Sequence, residues 1–161
     1  MGNSTGYHAT SRSAEEAEQV FKNATKEVEL ASSKPKVRNV FISFSVADEA
    51  QVILLRSQAK DPRFDLEFRD YSVKEPFDEK WKTNCRERIS QTSATIVAIG
   101  EDTASREAVN WEIEESYRQG KKVIGMRISK DRNDPIPAAL KEHNAPIVSW
   151  SMEELSAQLD R

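Results

Sequence analysis

Residues 94–128, ATIVAIGEDTASREAVNWEIEESYRQGKKVIGMRI, constrain the fold more than any other stretch. Ala94 to Ile99 is a short apolar run closed by Gly100, the pattern of a strand buried on both faces. Glu101 to Ser105 is polar and reads as a loop, with Thr103 or Ser105 available to cap a helix. Arg106 to Gln119 reads as that helix, and Gly120 stands where a left-handed C-cap would stand. Val123 to Ile128 is a second buried strand. A strand, a helix and a strand this close together form one right-handed βαβ unit with parallel strands.

The flanking sequence repeats the alternation. Asn39 to Phe44 is a first strand with both faces apolar, and it stops in Ser45-Val46-Ala47-Asp48. Asp48 to Ala59 reads as a helix, with Val52, Ile53, Leu54 and Leu55 crowding one side. Phe64 to Arg69 is a second strand, followed by a loop over Asp70 to Asp78. A helix then runs from Phe77 or Asp78 to Gln91, its inward positions Trp81, Cys85 and Ile89 spaced four apart. Beyond the central unit, Asp134-Pro135-Ile136-Pro137 starts a short helix ending near His143, and Pro146 to Trp150 is the last strand. Ser151-Met152-Glu153-Glu154 is a capping box for a terminal helix.

Five strands alternating with helices predict an α/β fold of flavodoxin-like type, with a five-stranded parallel sheet in the order 2-1-3-4-5 and helices on both faces. Residues 1–35 stand apart from this domain, which takes in 36–161. The first dozen are small and polar and are expected to be disordered. Ser13-Ala14-Glu15-Glu16 then opens an N-terminal helix running to about Ala31. Its apolar positions make an alanine-rich seam, suited either to a surface helix or to a partner or oligomerisation helix.

Composition narrows the function classes. A net charge of −3 over 161 residues does not point to nucleic acid or to an acidic membrane. The lone cysteine, Cys85, excludes a disulfide within one chain and fits a cytoplasmic setting. No apolar run spans a bilayer, and MGNSTGYHAT lacks the basic start and apolar core of a secretory signal. The turn after the first strand has no glycine, so neither a Rossmann turn nor a P-loop is present. No metal site is expected, since His8 and His143 lie far apart.

In a sheet of this order, ligands sit beyond the carboxyl ends of the strands where the order reverses. That point lies between strands one and three, at the loops Ser43 to Asp48 and Gly100 to Ser105, with Asp70 to Ser72 close by. On the helix after strand three, Val109, Ile113 and Ser116 face the sheet, Glu112 sits at the margin, and Glu114 and Glu115 point outward. Glu112 is then either a partly desolvated carboxylate aimed at the crevice or a surface glutamate in an ion pair. Trp111 faces nearly opposite the buried stripe, to meet another protomer or to pack under a loop.

Several of these residues together resemble the TIR-like domain family of the Thoeris ThsB type. They are Phe41-Ile42-Ser43-Phe44 with Asp48, Ile96-Val97-Ala98-Ile99-Gly100-Glu101 with Thr103, Val109-Asn110-Trp111-Glu112-Ile113, and Gly120-Lys121-Lys122-Val123-Ile124-Gly125. The resemblance covers about residues 37–128. It departs at Ala108, where many relatives carry tryptophan.

The resemblance implies an enzyme that uses NAD+ as substrate and needs no cofactor. Such enzymes cleave the nicotinamide–ribose bond, and some cyclise the remaining ADP-ribose into a signal that arms a separate effector protein in bacterial anti-phage defence. The family's catalytic glutamate falls on Glu112. Ser43, Phe44 and Ser45 would line the nucleotide cleft, Asp48 and Thr103 would complete it, and Tyr71 and Ser72 would lie in the gating loop. Self-assembly through TIR contacts is implied as well. The other reading of the same residues is a non-catalytic interaction module working through Trp111 and the Asp70 to Asp78 loop.

Overall fold

The computed structural model describes residues 14–23, 38–64, 66–70 and 77–161. They fall into two units, divided between Lys36 and Val37. In the first, residues 14–23 are helical (α1). The expected tail, the continuation of this helix toward Ala31, and Tyr71 and Ser72 lie outside the described residues.

The second unit is built on five parallel strands: β1 (Arg38–Ser43), β2 (Leu66–Asp70), β3 (Ala94–Ile99), β4 (Lys122–Arg127) and β5 (Ile147–Val148). Their order is β2-β1-β3-β4-β5, as the alternation predicts. The helices are α2 (Glu49–Ala59), α3 (Glu79–Ser90), α4 (Glu107–Arg118), α5 (Ala138–Glu142) and α6 (Met152–Asp160). β2 begins at Leu66 rather than Phe64, and Phe64 instead ends a turn with its N–H on the Asp61 carbonyl at 2.9 Å.

Strand periodicity divides the core into two faces. Val40 and Ile42 of β1 and Phe44 just after it, with Ile96 and Ala98 of β3, pack with Val52 and Leu55 of α2 and Leu155 of α6. The intervening residues face the other way. Phe41 packs with Trp81, Cys85 and Ile89 of α3, while Val97 and Ile99 pack with Val109 and Ile113 of α4 and Leu140 of α5. The one-in-four spacing along α3 is thus its core stripe. On α2 only Val52, Leu55 and Ala59 are buried, and Ile53 and Leu54 stay 59% and 54% exposed. Four consecutive residues are spread over about 300° of the helix, so they cannot all share one side.

Helix ends follow local chemistry. Asp78 caps α3 by accepting from the Trp81 N–H at 2.9 Å, and Ser151 caps α6 by accepting from the Glu154 N–H at 3.2 Å. Gly120, at φ 72°, closes α4 as expected. The Lys121 N–H reaches back to the Ser116 carbonyl at 2.9 Å, the six-to-one bond of a Schellman close. At the start of α4, neither Thr103 nor Ser105 caps the helix: both lie in a separate 3-10 turn, Thr103–Ser105, and Arg106 precedes the first helical residue.

Candidate active site

β1 and β3 pair side by side, with Ser43 opposite Val97, while β2 lies on the far side of β1. Their carboxyl ends deliver the Ser43–Asp48 and Gly100–Ser105 segments to the point where strand order reverses. Ser43, Phe44, Ser45, Asp48 and Thr103 all meet there, and all are buried. Tyr71 would follow directly from β2 but lies outside the described residues.

Thr103 joins the two loops. Its Oγ1 accepts from the Gly100 N–H at 2.8 Å and offers its single proton to the Ala98 carbonyl at 3.2 Å or the Asp48 carboxylate at 3.5 Å. The Asp48 carboxylate lies flat against Gly100, where an added Cβ would stand 2.2 Å from Asp48 Oδ2. Ser45 starts the 3-10 turn Val46–Asp48 by accepting from the Ala47 N–H at 3.3 Å.

The charges around this hub oppose each other. Burial raises the Asp48 pKa, the Asp102 charge adds to the rise, and Arg132 counters it. The Ser45 hydroxyl does most to hold the Asp102 carboxyl low, assisted by Arg106, whose Nε lies 2.9 Å from Asp102 Oδ2. Arg132 bridges Asp134 at 3.1 Å and Glu101 at 3.4 Å. Arg132 and Asp134 carry no signal in the sequence, because nothing in their spacing brings the β4–α5 loop to the β1 and β3 ends; Asp102 lies in the expected Gly100–Ser105 loop, with no sequence feature to single it out.

Glu112 lies beneath this hub, on the side of α4 turned toward β1 and α3. It is 1% exposed, so the surface-glutamate reading does not hold. Burial pushes its pKa well above the ordinary carboxylate range, and the nearby Ser43 hydroxyl partly offsets the rise. Yet neither Ser43 Oγ nor Glu112 Oε2 makes a hydrogen bond of ordinary geometry. Ser43 therefore polarises the carboxyl without satisfying it. Cys85 is close enough for the Glu112 charge to add to the upward shift that burial gives its thiol. Burial thus favours the protonated form of the carboxyl group in this closed arrangement.

Two side chains of α4 differ from expectation. Trp111 is half-buried, its ring edge-on to Trp81 at 5.5 Å and to Phe77 at 6.4 Å, with the Arg86 guanidinium 5.4 Å from its centre. It thus packs between α3 and α4 instead of standing free. Glu115 is buried rather than outward, held by Arg118 Nε at 2.6 Å and Gln119 Nε2 at 3.0 Å. In both cases α3, distant in sequence, covers a face that helical periodicity leaves to solvent.

Among the described residues, no three His, Cys, Asp or Glu side chains are grouped to hold a metal. No described helix is long and apolar enough to cross a membrane.

Among solved structures, the chain is similar to the TIR domain of the Toll-related receptor TRR-2 from Hydra magnipapillata, at 15% identity and a TM-score of 0.53, over 76% of this chain and 91% of that one. At that identity the likeness is one of fold. It is also aligned with the CMP N-glycosidase BcmB of Clostridium botulinum at 14% identity and a TM-score of 0.45, over 77% of this chain and 100% of that one. No curated protein sequence matches it. The family described as Thoeris protein ThsB, TIR-like domain, matches residues 41–133, which run from β1 through both switch-point loops and α4 to the Arg132 loop. That match takes in more than half of the chain, and with the sheet order and the buried glutamate in place, this protein belongs to the ThsB TIR-like domain family.

Proposed function

We propose that this protein is an NAD+-consuming enzyme that cleaves the nicotinamide–ribose bond with Glu112 as its catalytic residue. The observation that carries the reading is the Glu112 carboxyl itself. An acid this deeply buried, with one oxygen lacking any partner, costs the fold stability and is retained where chemistry needs it.

In this reading the loops above Glu112 separate to admit the dinucleotide. Glu112 regains water, loses its proton and presents a carboxylate to the ribose. The nicotinamide of NAD+ is a cationic ring that leaves as a neutral base, so no general acid is required. The sugar passes through an oxocarbenium-like state, which the carboxylate stabilises by its charge and by holding the ribose hydroxyls. Ser43, next to Glu112, lowers the cost of ionising it. Ser45 and Asp48 line the opened crevice with Phe44. Thr103 acts as a latch between the loops, since its hydroxyl already accepts from Gly100 and donates to Ala98 or Asp48. The remaining ADP-ribose is released or cyclised into a signal for a separate effector in anti-phage defence. The setting is the cytoplasm, and assembly of several copies favours the open form.

One observation favours the alternative, a non-catalytic interaction module: four grooves among the described residues, of about 390 to 990 Å³, do not have Glu112 in their lining. A single experiment separates the two. NAD+ consumption is followed by product chromatography at high protein concentration, with and without lysate from phage-infected cells, for wild type and Glu112→Gln. Release of nicotinamide that Glu112→Gln abolishes supports the enzyme. NAD+ left intact by wild type in every condition supports the module.

A further inference from the structure

A second concave region lies on the β4–β5 side of the sheet. After β4 and β5 the chain forms a cup of about 390 Å³ whose charged lining is Arg127, Lys130, Arg132 and Asp131. A larger groove, about 990 Å³, runs from there along α2 to the first turn of α6. Lys130 and Trp150 line both, so they mark where the two meet.

Three features make this junction more than a surface hollow. The first is a positioned aromatic face. Trp150 is half-buried against the α2–α6 side of the core, and its indole N–H donates to Gln58 Oε1 at 2.7 Å. With its polar edge satisfied and one side packed, the ring is fixed and its remaining surface faces the grooves. The second is uncompensated positive charge. Arg132 is paired with Asp134 and Glu101, but Arg127 donates only to the Asp134 main-chain carbonyl, at 3.1 Å. Among the described residues, neither Arg127 nor Lys130 makes an ion pair. Two free cations thus face one acid, Asp131, on a chain whose net charge is −3. The third is location, beyond the carboxyl ends of β4 and β5, where Arg132 connects the cup to Glu101 of the switch-point loop.

The geometry points to a binding site for an organic phosphate that carries a planar ring, a nucleoside diphosphate being the matching class. The phosphates lie in the cup against Lys130 and Arg127, and the ring stacks on Trp150. Cation contacts to phosphate and base stacking on a fixed aromatic are the two contributions that hold nucleotides without sequence-like readout. The site is separate from Glu112 and stands whether or not NAD+ is cleaved. It also reaches the switch point, because phosphate in the cup competes with Glu101 and Asp134 for Arg132.

The test is calorimetric titration of the full chain with ADP, pyrophosphate and adenosine, none of which has a nicotinamide–ribose bond. ADP is expected to bind more tightly than pyrophosphate or adenosine, and less tightly as salt rises. Lys130→Glu, at an exposed position, should weaken both ADP and pyrophosphate about tenfold or more. Trp150→Leu should weaken ADP about tenfold and leave pyrophosphate unchanged, while Trp150→Phe, which keeps a ring and the packing, should retain most ADP affinity. Glu112→Gln should bind all three as wild type does. The assignment is overturned if wild type does not bind ADP at millimolar concentration, or if Lys130→Glu and Trp150→Leu bind it unchanged. Pyrophosphate binding as tightly as ADP, with Trp150→Leu silent, would make this a plain phosphate site and overturn the nucleotide assignment.

Discussion

Among the described residues, Ser43 is the one side chain whose hydroxyl draws down the pKa of the buried Glu112 carboxyl, although no well-formed hydrogen bond joins the two. Burial acts the other way and is the larger effect. If catalysis needs the ionised acid, the acid limb of kcat/KM for NAD+ lies above the ordinary glutamate range, and activity rises with pH through it. Ser43→Ala removes the group that lowers the pKa, so the limb moves to still higher pH. A pH–rate profile of both proteins checks the order; a limb that stays put in Ser43→Ala removes Ser43 from this role.

The same carboxyl sets a pH dependence of stability. Its folded pKa is raised, so the folded chain holds a proton that the unfolded chain releases above its lower pKa. Stability from this group is fully present below the unfolded pKa and is lost as pH rises through the folded one. Glu112→Met keeps the volume and removes both the titration and the orphaned oxygen. It should unfold at higher denaturant near pH 8, by about 1–3 kcal/mol, with the gain shrinking toward pH 4. Denaturation midpoints at the two pH values decide this, and equal gains at both would contradict it.

Gly100 depends on its neighbour rather than on its own backbone. Gly100→Ala drives a methyl group into the Asp48 carboxylate, at a cost of about 1–3 kcal/mol. Asp48→Ala empties that space. The double variant should therefore lose less than the sum of the two single ones, a coupling that a double-mutant cycle in urea measures directly.

Thr103→Val keeps the shape of the latch and deletes its hydroxyl. The buried Gly100 N–H then has no acceptor, which costs about 1–3 kcal/mol. Hydrogen exchange at the Gly100 amide should accelerate in this variant. Exchange at wild-type rate would mean another acceptor takes over.

The topology was readable because it depends on periodicity and turn chemistry that act over a few residues. The short apolar strands, Gly120 and the Asp78 and Ser151 caps are each explained by their immediate neighbours. The site was legible only in part. The periodicity of α4 puts Glu112 at the margin of its buried stripe, but not beneath α3, whose Trp81 and Cys85 come from a separate crossover. The same missing neighbour explains why Trp111 and Glu115 read as solvent-facing. Arg132 could not have been found at all, since only the β4–α5 turn carries it to Glu101 and Asp134. Thr103 was located correctly, but as a possible cap; its hydroxyl instead serves the strand end behind it.

Cys85 turns the burial of Glu112 into something that can be timed. It is the chain's single cysteine, fully enclosed, and close enough to Glu112 to respond to its charge. Its thiol can meet a reagent in solution only when the packing of α3 over it opens. The rate of thiol labelling in the untouched wild-type protein is therefore a clock for the opening around Glu112 that the proposed reaction requires, and a condition that switches on NAD+ cleavage, if the proposal holds, should make that clock run faster.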